Sequence, residues 1–331
     1  MTSVLLAPPL PPYVPPQPPV EPSPWVRTRH LLHGWDGSTW DITSYRSGVM
    51  LTRGALRGLH FPPVTHYRDT GPAVPGATWR GANANSRRVH WTLQVFHDEG
   101  TDEWLELERA FWRIMDPQHT LLWEVRTGSA QSARTLRVRH EPDDSYGYDM
   151  DAPHFGWASY PVDLMADQPF WSGPVIQRRW GGSGQANFFG GGVDTKAPLF
   201  YISSGSQASA ARINNPGDVP AYPVWILVGP LASGWVGVAG KRVTVPFAIP
   251  EGKALVLDSD PRRQTAAEAT VVFDAEGSVA GYTPTGVFKT HLLSTAEWVS
   301  IAPGASVKLD LDVVGAGSVH AQLTPLYYKA W

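Results

Sequence analysis

Residues 211–230, ARINNPGDVPAYPVWILVGP, set a sharp polar corner directly against an apolar run. Asn214, Asn215, Pro216, Gly217 and Asp218 are turn chemistry: Asn and Asp bond nearby backbone, Pro pre-sets φ, and Gly tolerates positive φ. Val224–Val228 reads as a buried strand closed by Gly229 and Pro230. Asn214 and Asp218 are expected to cap the corner through side-chain-to-backbone bonds, with Gly217 at positive φ. The corner then aims the strand that begins at Pro223. The stretch carries architecture and no reactive group.

Working outward, the C-terminal half is nearly all strand. Apolar runs lie at Trp225–Val228, Val243–Ile249, Leu255–Asp258, Thr270–Phe273, Val307–Val313 and Val319–Leu323. In VKLDLDVV the alternation points Val307, Leu309, Leu311 and Val313 inward. Turn signals recur between the runs, a spacing that suggests a β-sandwich. The N-terminal half is similar. WDGSTW (residues 35–40) holds Asp36-Gly37, a two-residue hairpin signal. VHWTLQVFH puts Trp91, Leu93 and Val95 on one face, and RTLRVRH does the same with Leu136 and Val138.

One segment breaks the period of two. In TDEWLELERAFWRIMDP, Trp104, Leu107, Phe111, Ile114 and Met115 recur at helical spacing. Thr101 or Asp102 can cap its start, Asp102 and Glu103 complement the dipole, and Pro117 stops it. A single helix is expected over about 102–115, its aromatic stripe facing the core. The Gly-rich stretch GGSGQANFFGGG (residues 181–192) reads as a boundary. Three regions are therefore expected: a proline-rich arm at 1–24, a strand-rich domain with the helix at 25–178, and a β-sandwich domain at 179–331. The arm holds ten prolines, which makes it extended and polyproline-like. A tail that orders only against a neighbour is favoured there over a ligand for a proline-binding domain.

Composition narrows the function classes. The chain has 331 residues, enough for two cores, and 32 Gly and 31 Pro spread as turn punctuation. A net charge of −3 leaves no electrostatic footprint for nucleic-acid binding. Arg87-Arg88, Arg178-Arg179 and Arg262-Arg263 read as solvated or salt-bridged pairs. With no cysteine, disulfides, thiolate zinc sites and cysteine nucleophiles are excluded. No basic n-region precedes the prolines, and no apolar run approaches a membrane span, so neither a secretory signal nor membrane insertion is expected.

Few residues in the sequence point to chemistry. His30 and His33 lie three apart on an extended segment, which sends them to opposite faces rather than to one metal. Asp143, Asp144, Asp149 and Asp151, with His140 and His154, could surround a calcium ion, but the EF-type pattern is missing. The Gly-rich stretch and GVAGKR (residues 237–242) lack the residues of a phosphate loop and read as turns. No Gly-x-Ser-x-Gly elbow is present, and no carboxylate pair stands out. No cofactor, metal or catalytic residue is assigned. Aromatic residues beside glycines keep open a glycan-binding module as the alternative, with a polysaccharide hydrolase behind it.

Several of these patterns together resemble the distal tail protein of siphoviruses, called a minor tail protein in phages of actinobacteria. GVMLTRGALRGLHFPP (residues 48–63) is similar to the opening of that family's first domain, and the helix with its MDP exit to the helix there. VDLMADQPFWSGP is similar to the domain exit, with Asp167, Pro169, Phe170 and Trp171 as its signature. INNPGDVPAYPVWILVGP is similar to the corner and following strand of the second domain, with Asn214, Gly217, Asp218 and Pro223. IPEGKALVLDSDPRR and SIAPGASVKLDLDV resemble its later hairpins. The likeness covers about residues 30–331 and leaves out the proline arm.

The resemblance implies a mainly β protein of two β-sandwich domains, the first with one helix, the second galectin-like or carbohydrate-module-like. It implies a non-enzymatic virion protein at the distal end of the tail, made in the host cytoplasm. Six copies would form a baseplate hub ring joining the tail tube protein to the tail-associated tip hub and receptor-binding proteins. DNA would only pass through the lumen, and the near-neutral composition is compatible with such a wall, since dense positive charge would hold phosphates.

Overall fold

The computed structural model describes residues 26–52, 56–73, 75–128, 132–142, 150–181, 212–273 and 279–331. The proline arm, most of the Gly-rich stretch and the acids Asp143, Asp144 and Asp149 lie outside these residues.

Period-two alternation becomes antiparallel sheet around two separate cores. In the first half the strands are β1 (Arg29–His33), β2 (Thr39–Asp41), β3 (Val49–Leu51), β4 (Val64–Asp69), β5 (Thr78–Ala84) and β6 (Arg87–Phe96). After helix α1 (Thr101–Ile114) come β7 (Leu121–Arg126), β8 (Arg134–His140), the short helix α2 (Ala152–Phe155), β9 (Trp157–Ala166) and β10 (Trp171–Ser172). The main sheet runs β2-β1-β7-β8-β9-β6-β3. β6 buries Val89, Trp91, Leu93 and Val95 on one face, and β8 buries Leu136 and Val138, as their alternation requires. Trp91, Trp123 and Trp171 form an edge-to-face chain at the centre, with centroids 5.0 and 4.9 Å apart.

The second half continues with β11 (Ile176–Gly181), β12 (Arg212–Asn214), β13 (Pro223–Val228), β14 (Leu231–Val238), β15 (Lys241–Val245) and β16 (Lys253–Asp258). Then follow β17 (Thr265–Phe273), β18 (Val279–Phe288), β19 (Thr295–Ala296), β20 (Ser306–Gly315), β21 (Ser318–Leu323) and β22 (Leu326–Tyr327). Two sheets, β11-β21-β13-β16-β17-β18 and β12-β20-β14-β15-β19, enclose a core that includes Trp225, Leu227, Val236, Leu257 and Leu309. Val307, Leu311 and Val313 pack against it as half-buried neighbours, the inward face read from VKLDLDVV.

Several local expectations change. α2 is a second helix beyond the single one expected. α1 starts one residue early: its N-cap is Gly100, which has no side chain to cap with, and Thr101, the first helical residue, donates Oγ1–H to Pro153 O. The stripe still faces inward, with Trp104, Phe111, Ile114 and Met115 buried. At Asp36-Gly37 the register pairs His33 with Thr39, leaving a five-residue loop rather than two. There the Ser38 amide donates to Asp36 Oδ1, and Gly37 takes φ 87°. The tight two-residue turn lies at Ala239-Gly240, both at positive φ, between β14 and β15.

Core membership changes between Trp171, in the first core, and Ile176, packed on the second. It then changes back. β22 pairs with β10, and Ala330 is buried in the first core, its amide donating to Leu59 O. Among the described residues the chain thus crosses twice between the cores, at 172–176 and at 323–326.

Candidate functional site: the junction between the two cores

Both crossings converge on one guanidinium. Arg87 opens β6 at a position whose alternation faces inward, and its side chain is 1% exposed. Its Nε donates to Pro169 O at 2.6 Å, Nη1 to Gly58 O at 2.6 Å and also to His60 O, and Nη2 to Tyr328 O at 2.9 Å. The acceptors are carbonyl dipoles from three chain segments: the loop before β4, the exit from the first core, and the segment after β22. Burial pulls the guanidinium down to about 10, which still leaves it charged at neutral pH. Arg87 is therefore a buried strut, not the solvated half of a pair. Arg88 alone is exposed, 3.9 Å from Glu141.

The corner of residues 214–218 abuts the same segment. Asn215, not Asn214, organises it: the Asn215 side chain is 0% exposed and donates Nδ2–H to Val219 O and Ile301 O, both at 2.9 Å. Its Oδ1 accepts from the Gly217 amide at 2.9 Å. Asn214 lies exposed in β12, paired with Ser306. Gly217 does not take positive φ. Its glycine is required by close approach, since a Cβ there would sit 2.5 Å from Leu326 O and 2.8 Å from Leu326 N. Asp218 bonds across the junction, its amide donating to Leu326 O at 2.8 Å and its Oδ2 accepting from the Tyr328 amide at 3.0 Å. Pro223 pairs with Leu323 at the start of β13, and its carbonyl accepts from the Ser259 amide.

The domain-exit signature reaches the same place. Pro169 supplies the carbonyl to Arg87, Phe170 meets Tyr328 edge-on at 5.8 Å, and Trp171 is buried and pairs with Tyr327. Asp167 is exposed, 3.7 Å from Arg139. Next to it, Gln168 Oε1 accepts from Arg262, whose guanidinium is also tied to Asp260 at 2.6 Å. The Arg262 hydrogen bonds hold the Asp260 carboxyl below the usual range. Gly217, Asp218, Pro169, Phe170 and Trp171 thus gather around residues 326–328, while Asn214, Asp167 and Pro223 do not. Sequence reasoning missed Arg87, Asn215 and Tyr328. The alternation that buries Ile213 also buries Asn215 two residues on, a signal available for that one.

The other candidates disperse. His33 Nε2 lies 2.8 Å from Glu124, whereas His30 is buried against Trp123 and pushed down to about 4 by burial. His140 donates Nδ1–H to Met115 O, and His154 packs edge-on to Phe155. Among the described residues no three His, Asp or Glu side chains are grouped to hold a metal ion. What the junction can do is mechanical: Arg87 holds the Tyr328 segment to the first core, and Asp218 bonds residues 326–328 from the second.

The chain matches no protein-family model, and no curated protein is similar to it in sequence. Solved structures share its fold. The crystal structure of the Dit protein of phage SPP1, described as a paradigm of the hub of the adsorption apparatus in phages infecting Gram-positive bacteria, superposes with a TM-score of 0.55 at 11% identity, covering 91% of this chain and 99% of that one. A chain of the phage P2 baseplate, in its activated conformation with calcium, gives 0.51 at 11% identity, covering 91% and 98%. Both are phage baseplate or adsorption-hub proteins, and at this identity the likeness is one of fold.

Proposed function

We propose that this chain is a siphovirus distal tail protein, a structural, non-enzymatic component of the tail tip. Six copies form a ring hub that joins the tail tube protein to the tail-associated tip protein and to receptor-binding proteins. The observation that carries this reading is the span of the fold likeness: it takes in both cores of this chain and nearly all of the SPP1 hub protein. Shared topology over one sandwich alone would say little about role, because sandwiches serve many functions.

The physical features agree with that role. A ring built by heterologous contacts repeats one surface against a different one, so each copy needs protruding structure that its own chain does not cover. The β4–β5 hairpin is such a feature: every described residue from Pro63 to Arg80 is exposed, Tyr67 and Trp79 included. A hub that holds partners on two sides also needs a fixed angle between its parts, which the Arg87 and Asp218 contacts supply.

The test is native mass measurement of the purified chain across a concentration series, alone and with its tail tube protein, followed by negative-stain imaging. A six-copy ring with an open centre is expected in at least one condition. A chain that stays monomeric throughout, tube protein included, overturns the reading.

A further inference from the structure

At the junction an aromatic surface faces solvent. Phe61, 60% exposed, stacks on Tyr328 with centroids 4.9 Å apart, and Phe170 meets Tyr328 edge-on at 5.8 Å. Trp331, 46% exposed, meets His60 edge-on at 5.8 Å. The rim carries two cations beside one carboxylate: Lys329 Nζ sits 5.5 Å from the Phe61 ring, Arg134 lies 3.6 Å over Tyr327 while donating to Lys329 O, and Asp218 Oδ2 accepts from the Tyr328 amide. Flat exposed rings with a positive rim are the chemistry that grips extended proline-rich segments, because pyrrolidine rings pack against aromatic faces and polyproline has little entropy left to lose.

We propose that residues 8–24 of this same chain dock on that aromatic surface. The sequence has prolines at 9, 12, 15 and 18, and the three-residue period of polyproline sets them along one face. Glu21, the only charged side chain among residues 2–24, continues that face and complements the cationic rim.

Strand register places the start of β1, five residues after the arm, near the surface. Arg29 pairs with Arg126, and Val125 pairs with Arg134, so β1 begins two strand spacings from Arg134, about 10 Å. Twenty-four residues at about 3.1 Å each span about 74 Å, several times that gap. A tether so much longer than the distance it must cover keeps the local concentration of the segment high. The inference stands apart from ring formation, since donor and acceptor belong to one chain.

The chain has no cysteine, which allows a single spin label at Val14→Cys, off the Pro9–Pro18 face. An immobilised spectrum is expected in the full-length chain, independent of concentration. The double variant F61S/W331S should give a mobile spectrum with an unchanged melting temperature, because both side chains are exposed. Trp79→Ser, an exposed aromatic on the β4–β5 hairpin, should leave the label immobilised. A mobile label in the parent chain overturns the proposal, as does immobilisation that survives F61S/W331S. So does immobilisation recovered when the labelled F61S/W331S chain is refolded with unlabelled parent, which would mean that the arm binds a neighbouring copy. That last result would leave the ring reading intact, and a monomer with an immobilised label would leave the docking intact.

Discussion

Asn215 and Asn214 are adjacent in sequence and differ completely in what they hold. Truncating Asn215 to Ala strands the Val219 carbonyl and the Gly217 amide, each worth about 1–3 kcal/mol when left unpaired, while Ile301 O keeps the Ala221 amide. Some of that is recovered by relaxation, so a loss of about 3 kcal/mol is expected in urea unfolding. Asn214→Ala should stay within about 0.5 kcal/mol, as exposed substitutions do. Equal effects would mean that the corner is organised otherwise. A second residue-scale expectation concerns acid. His30 titrates near 4 in the folded chain, against an ordinary 6.5, because burial disfavours its charged form. Between those values the unfolded chain binds the proton and the folded chain does not, so stability is undiminished above pH 6.5 and falls as pH drops toward 4. The loss approaches about 3 kcal/mol below pH 4. His30→Phe keeps the stack on Trp123 and removes a ring nitrogen, Nδ1, that has no hydrogen-bond partner among the described residues. It should flatten that limb while leaving stability at pH 7 nearly unchanged. His320, also lowered to about 4 by burial, acts in the same direction, so the limb should become shallower without vanishing. Parallel profiles for parent and variant would refute the assignment.

At the scale of elements, what was legible in the sequence followed from burial on one face. β6, β8, β20 and α1 have a wet side and a dry side, and the period of their apolar residues states which is which. The β4–β5 hairpin has no dry side on its own chain, so VTHYRD and TWRGANA offer no alternation and it went unread. β14, LASGWVGV, was hidden by its small residues: Gly237 is needed because a Cβ would sit 2.1 Å from Lys241 O in the neighbouring strand. The junction was half legible. Turn chemistry flagged the corner, but nothing local could announce that Gly217 and Asp218 face a strand more than a hundred residues later. That long-range contact supplies the element-scale prediction. A Cβ at Gly217 collides with backbone rather than with a side chain able to swing aside, so Gly217→Ala should cost about 2 kcal/mol. The cost should be local: amide exchange at Leu326–Ala330 should accelerate while β13 and β16 keep their protection. Uniform acceleration would place the strain in the second core instead.

At the scale of the whole molecule, the hairpin lets folding be tested apart from the proposed assembly. Its strands pair only with each other in the sheet, and two-stranded ribbons are marginal in water without a covered face. On the chain alone, then, it contributes little to stability, and its ordered register, from Val64 opposite Ala84 to Asp69 opposite Thr78, is structure that the two cores do not require. If copies pack around a ring, a neighbour covers it, and exposed Tyr67 and Trp79 supply rigid contact area at low entropic cost. Replacing residues 66–82 with an Asn-Gly turn keeps Thr65 opposite Asn83 and removes the protrusion. The shortened chain should melt within about 2–3 °C of the parent, the shift expected for less than about 1 kcal/mol in a chain of this size. By native mass measurement it should fail to form the ring under conditions where the parent does. A shortened chain that still closes a six-copy ring would assign the subunit contacts to the sandwich faces. One that no longer folds would mean that the hairpin belongs to the first core after all.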